Sequence, residues 1–167
     1  MKYAVMYYSK TGNTRELAEQ IYVSLPESDK LIYQIGKTSE IPSADVYWIG
    51  FPVRNMSCPP EIMNTLESIV NAKIALFTTS GMIPSEKYKE LIEKRTVSWI
   101  DDSCEYLGMF MCQGKTDHAA KERIAAEYAA EIDAVLQILD NGDSHPDDCD
   151  LDNLSEFCEK VVGILND

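Results

Sequence analysis

Five short apolar runs constrain this sequence more than any other feature. They fall at 3–8, 31–35, 45–50, 73–78 and 105–112. Runs of this length without polar alternation predict strands buried on both faces. The stretches between them change period. From 13 to 25, Leu17, Ala18, Ile21 and Leu25 recur at helical spacing, and Pro26 stops the pattern. A second helix opens at Pro59-Pro60-Glu61, with Ser57 or Cys58 near its N-cap and Ile62, Leu66, Ile69 and Val70 on its apolar face. A third runs from Ser85, a capping residue, to about Trp99, carrying Tyr88, Leu91, Ile92 and Arg95. Only the link at 36–44 is too short for a crossover helix. Strands alternating with helices predict a parallel sheet covered on both faces.

Two further helices follow the fifth strand. The spacing of Ile124, Tyr128, Ile132, Val135, Leu136 and Leu139 predicts one helix over 118–139. The spacing of Leu151, Leu154, Phe157, Val161 and Leu165 predicts another over 151–165, after a polar connection at 141–148. The 167 residues suit a single domain spanning 1–167. A chain of this size buries roughly 70% of its unfolded surface, so its core needs no disulfide or metal.

The formal net charge is −13. This excludes a nucleic-acid binder, which needs a basic patch, and disfavours anionic membrane surfaces. It favours a protein partner with a basic docking surface. No apolar run reaches the ~20 residues of a membrane span, so membrane insertion is not expected. The five cysteines (Cys58, Cys104, Cys112, Cys149 and Cys158) are odd in number, form no CxxC and match no zinc spacing. With no signal-peptide pattern at the N-terminus, they predict reduced thiols and a cytoplasmic protein. His118 and His145 are far apart in sequence with no nucleophile nearby, so neither a triad nor a metal site is expected. The acidic residues Asp143, Asp147, Asp148, Asp150 and Asp152 lack a calcium loop's glycine and closing glutamate, and read as a solvated turn leading into a helix. Cys58, before a helix N-terminus, could be activated; a small residue filling the turn is the favoured account.

In an open parallel sheet, ligands bind beyond the carboxyl ends of the strands. Three loops leave that edge: 9–14, 51–58 and 79–84. The first is the most specific. Ser9-Lys10-Thr11-Gly12-Asn13-Thr14 crowds hydroxyls, an amide, a cation and a glycine between a strand and a helix start. A helix N-terminus offers unpaired N–H groups and partial positive charge, a natural seat for phosphate. Neither GxGxxG nor GxxxxGK[ST] is present, so a dinucleotide or triphosphate loop is not matched. A single terminal phosphate, held without a metal, fits.

In this position Ser9-Lys10-Thr11-Gly12-Asn13-Thr14 resembles the phosphate-binding loop of the flavodoxin family. The order of elements along nearly the whole chain resembles that family too. The ending, from His145-Pro146-Asp147 to Phe157, resembles single-domain flavodoxin-like proteins of anaerobic bacteria. The resemblance implies a three-layer α/β/α sandwich with a five-stranded parallel sheet in order 2-1-3-4-5, an extra C-terminal helix and noncovalent FMN. Ser9, Lys10, Thr11, Gly12, Asn13 and Thr14 would then bind the phosphate. Pro52, Val53, Arg54 and Asn55 would flank one side of the isoalloxazine, and Thr79, Ser80, Gly81 and Met82 the other. Thr78 would reach the ribityl chain. Backbone groups near Asn55 and Gly81 would meet the ring's polar edge.

Two departures stand out. Neither ring loop has the family's tryptophan or tyrosine; Phe51, Met56 and Met82 are the nearest substitutes, and Trp48 reads as core. Arg54 puts a cation where family carriers keep acidic charge. The resemblance implies an FMN electron-transfer protein shuttling between redox partners. The departures favour an alternative, a small FMN-dependent NAD(P)H:acceptor oxidoreductase acting on a quinone or flavin. A non-redox binding module of the same fold is a third possibility. Oligomeric state, donor and acceptor are not legible.

Overall fold

The computed structural model describes residues 1–27, 29–36, 40–127 and 130–166. Five parallel strands, β1 (Tyr3–Tyr7), β2 (Lys30–Gln34), β3 (Val46–Pro52), β4 (Lys73–Ser80) and β5 (Glu105–Gln113), form one sheet in the order β2-β1-β3-β4-β5. This is the expected order. Alternate residues of each strand point to opposite faces, and the core divides accordingly. On one face Val5, Trp48, Ala75 and Phe77 pack with Leu17 and Ile21 of α1 (Asn13–Ser24) and with Leu154, Cys158 and Val161 of α6 (Asp148–Asn166). On the other, Ala4, Met6, Ile49, Phe51, Ile74 and Leu76 pack with Ile62 and Leu66 of α2 (Pro60–Glu67) and Ile92 of α3 (Glu86–Val97). Trp48 is fully buried, edge-on to Phe157 at 5.8 Å.

Three boundaries differ from the sequence expectation, each for a physical reason. Strands β3 and β4 run two residues past their apolar runs, so Phe51, Pro52, Thr79 and Ser80 are strand residues rather than loop, and Thr78 is inside β4 rather than at its end. Thr78, Thr79 and Ser80 can be buried because their hydroxyls have partners. Thr78 Oγ1 donates to the Phe51 carbonyl at 2.7 Å, Thr79 Oγ1 meets Thr14 Oγ1 at 3.0 Å, and Ser80 Oγ accepts from Met82 N at 3.1 Å. Helix α2 is capped at Pro59, beyond Ser57 and Cys58, with Pro60 in its first turn and no side-chain cap. Ser85 does cap α3, its hydroxyl accepting from Tyr88 N at 3.3 Å.

The helix expected over 118–139 is two helices, α4 (His118–Glu127) and α5 (Ile132–Asn141). Lys121 Nζ lies 2.7 Å from Asp140 Oδ1 and 2.9 Å from Asp143 Oδ2. Along one straight helix Lys121 and Asp140 would stand about 28 Å apart, so the chain turns back to make this contact. Tyr128, part of the predicted spacing, lies outside the described residues, as do residues 37–39 of the short link before the third strand. Helix α6 packs against α1 and β5 and covers the sheet. The α4–α5 hairpin is therefore the addition to the sandwich, and it sits at the carboxyl edge of the strands.

Candidate functional site

The site begins where β1 ends. Gly12 takes φ 102°, a left-handed conformation open to glycine, and its N–H donates to Ser9 Oγ at 3.2 Å. Gln34 Nε2 holds the Ser9 carbonyl at 2.8 Å. These two bonds fold 9–12 into a tight loop beneath the start of α1. No side chain caps α1. Its first-turn amides are left facing outward over the loop, with the dipole's positive end behind them. Thr14 is buried against Thr79, which fastens this first turn to β4.

The second wall comes from β3. Arg54 and Ser57 exchange both backbone hydrogen bonds (2.9 and 3.0 Å) around Asn55 and Met56, whose φ values are 50° and 58°. Positive φ at both central residues marks a primed two-residue turn. Arg95 Nη1 donates to the Met56 carbonyl at 2.9 Å and braces it from α3. Val53 N donates to the Thr79 carbonyl at 2.9 Å, joining this wall to the end of β4.

The third wall was not foreseen. Residues 113–117, leaving β5, cross over both other loops. Gln113 Nε2 donates to the carbonyls of Gly81 and Ile138, each at 2.9 Å. Gly114 N donates to the Ser80 carbonyl at 2.8 Å, and the Lys115 carbonyl accepts from Asn13 Nδ2 at 2.8 Å. A Cβ on Gly114 would stand 2.8 Å from Asn13 Nδ2, and one on Gly81 would stand 2.4 Å from Thr116 Oγ1. Glycine at both positions is what lets the three segments approach so closely. Asp117 Oδ1 then accepts from Ala120 N at 2.7 Å and starts α4.

The walls enclose a cavity of about 330 Å³, within the range of small-molecule sites. Of the residues expected at the site, Lys10, Thr11, Asn13, Pro52, Val53, Arg54, Thr79, Ser80 and Gly81 line it. Ser9, Gly12, Thr14, Asn55, Thr78 and Met82 do not. Ser9, Gly12 and Thr14 shape the loop from behind, Asn55 and Met82 are at the outer turns, and Thr78 is spent on Phe51. Tyr8, Gly114, Lys115, Thr116, Asp117, Ala119, Ala120 and Arg123 line the cavity without having been expected. Tyr8 supplies a tyrosine that the ring loops lack, while Phe51 is buried in the core. The usable signal was the loop after β5, which leaves the same sheet edge as the other three.

The remaining candidates resolve simply. Cys58 is buried, and desolvation raises its thiol pKa, the reverse of activation. All five cysteines are free thiols. His145 Nδ1 lies 2.6 Å from Asp150 Oδ2, while Asp147 and Asp150 exchange side-chain-to-backbone hydrogen bonds at 3.0 and 2.9 Å. This is a capping box at the start of α6, consistent with the expected helix-start turn.

This fold, with a cavity at the carboxyl ends of β1, β3 and β4 and an uncapped helix start beside it, defines the flavodoxin-like α/β sandwich. The flavodoxin domain model matches residues 4–159. The chain is 31% identical over 171 residues to "Flavodoxin-like domain-containing protein BilS" of Clostridioides difficile (strain CD3), covering 97% of each. The chain belongs to the flavodoxin family. Among solved structures, the Streptococcus pneumonia TIGR4 flavodoxin aligns with TM-score 0.63 at 12% identity, over 98% of this chain and 99% of that one. A Lactobacillus acidophilus NCFM flavoprotein, solved in complex with FMN, aligns with TM-score 0.50 at 16% identity, over 66% of this chain and 93% of that one. Among the described residues no helix is long and apolar enough to cross a membrane.

Proposed function

We propose that the chain is an FMN-dependent electron-transfer protein. The observation that carries this is the convergence of the uncapped α1 start with the β3 and β4 loops on one cavity. The donor set fits the cofactor. Thr11 and the first-turn amides offer neutral donors to a phosphate, and Lys10 adds a charge; among the described lining residues Asp117 is the one carboxylate. Pro52, Val53 and Gly81 give apolar or backbone surface for a flat ring, and Tyr8 adds an aromatic. When bound, the flavin accepts and releases electrons; the protein anchors it and sets its surroundings.

The residues have distinct tasks in this reading. Thr11 hydrogen-bonds the phosphate. Asn13 holds the loop shut against Lys115. Arg54, exposed at the ring end, favours added negative charge there by direct attraction. A redox protein with a basic face would be drawn to the acidic body of the molecule. Arg54 also supports the second reading, a flavin enzyme reduced directly by NAD(P)H.

Titrating FMN into flavin-free protein tests the site. Thr11→Ala with Asn13→Ala removes one direct bond and the latch, and should weaken binding by about 2–4 kcal/mol, since a hydrogen bond to a charged group is worth about 1.5–3 kcal/mol and a neutral one about 1 kcal/mol. Unchanged affinity would remove the assignment. Bleaching by NAD(P)H alone, faster than by any protein donor, would favour the enzyme reading.

A further inference from the structure

The cavity's charge opposes that of the protein around it. Four of the fifteen lysines and arginines line it, Lys10, Arg54, Lys115 and Arg123, against one of the twenty-eight acids, Asp117. The carboxylate of Asp117 already accepts from Ala120 N. Among the described residues none of the four cations has an ion-pair partner; outside the cavity Lys2, Arg15, Lys30, Lys73 and Lys121 have one, and Lys87, Lys89, Lys94, Arg95 and Lys160 do not, so what sets the four apart is that they share one cavity. A chain with this excess of acid could neutralise four cations easily, yet here they converge unpaired on one concavity.

The phosphate of one cofactor is at most a dianion. Lys10 belongs to the phosphate loop, and Lys115 is tied to it through Asn13. Two of the four cations suffice to balance a dianion, so with Lys10 and Lys115 set against the phosphate Arg54 and Arg123 are in excess. They come from separate segments, the β3 turn and the added helix α4. Helix α4 buries none of its own residues fully and is held to the body through Lys121 on Asp140 and Asp143. Its place beside the cavity does bring Arg123 there.

We propose, resting on the cofactor reading above, that Arg54 and Arg123 admit a small anionic redox molecule, one carrying phosphate or carboxylate groups, to exchange electrons with the bound flavin. A cleft lined by one sign of charge focuses its field outward and raises the local concentration of counter-ions. The charges line a concavity walled by α4, which favours a small molecule over a flat protein face. The acidic body meanwhile repels anions elsewhere, so the attraction is confined to the port.

The test uses the FMN-loaded chain of 167 residues, reduced with dithionite and freed of excess, then mixed with hexacyanoferrate(III). Each trianion takes one electron and becomes hexacyanoferrate(II). Two are consumed per reduced flavin, whose protons go to solvent. Net charge alone makes this reaction speed up as salt rises, because salt screens repulsion. The port makes it slow down, by about tenfold between roughly 10 mM and 300 mM salt. Arg54→Gln with Arg123→Gln should reverse the sign of the salt dependence, whereas Lys94→Gln with Lys160→Gln, which removes equal charge from exposed sites off the cavity, should keep it.

A binding readout accompanies the rates. Hexacyanochromate(III), a redox-inert paramagnetic trianion, should broaden the amide resonances of residues 54, 115 and 119–123 in the loaded protein. A wild-type rate that rises with salt, or broadening centred elsewhere, overturns the port. A chain that takes up no FMN overturns the cofactor reading instead.

Discussion

At the residue scale, the site depends on two glycines that no local motif marks. Gly81 and Gly114 have ordinary backbone angles, and their importance lies in what surrounds them. A methyl at Gly114 would press on the Asn13 amide and on Thr79 Cβ, 3.2 Å away. The Asn13 latch is the softer of the two neighbours and should give way. Gly114→Ala is therefore expected to weaken FMN binding by about 1–3 kcal/mol, the usual cost of overpacking, and to lower the melting temperature only slightly. Equal loss of stability and affinity would mean that the sheet yielded rather than the latch. Gly12 differs, because it was singled out by its place in the turn before α1, and its φ of 102° then showed why glycine stands there. Thr78 shows the opposite limit: its letter suited a ligand contact, but its hydroxyl is consumed by Phe51.

At the scale of elements, the alternation of strands and helices is local information and was readable. Each strand's apolar run and each helix's stripe are set within a dozen residues. The α4–α5 break was not readable, because residues 118–139 carry a continuous helical period with no glycine or proline to interrupt it. What folds the hairpin is the grip of Lys121 on Asp140 and Asp143, contacts 19 and 22 residues distant. These carboxylates raise the lysine pKa, so the ammonium stays charged throughout neutral pH and the grip is lost only as pH rises past the lysine range. Lys121→Met should speed amide exchange across 118–127 at pH 7, with β1, β3 and β4 unchanged. Unaltered exchange in α4 would show that the grip does not hold the hairpin.

At the scale of the whole molecule, the two faces of the sheet bury thiols beside aliphatic side chains. Desolvation raises the thiol pKa of Cys58 and Cys112 and pushes that of Cys158 up to about 12. An unfolded thiol titrates near 8.5. Below that value both states hold the proton and the contribution is constant. Above it the unfolded chain gains by ionising while the folded chain cannot, so stability falls as pH rises. The slope is about 1.4 kcal/mol per pH unit for each such thiol. The melting temperature should drop between pH 8 and pH 10, and Cys112→Ala with Cys158→Ala should flatten the decline even though the cavities lower its starting point. A decline of the same slope in that variant would assign it to other groups.

The sequence alone determined the alternation of strands and helices and the donor-rich turn at 9–14, because each rests on residues that are neighbours along the chain; the strand order came from the family resemblance. Spacing, caps and a strand-to-helix turn are consequences of connectivity. Only the tertiary structure decided the third wall of the cavity, the reach of Asn13 to Lys115, and the gathering of Lys10, Arg54, Lys115 and Arg123. Those residues belong to four separate segments, and packing across more than a hundred residues of chain is what brings their charges onto one cavity.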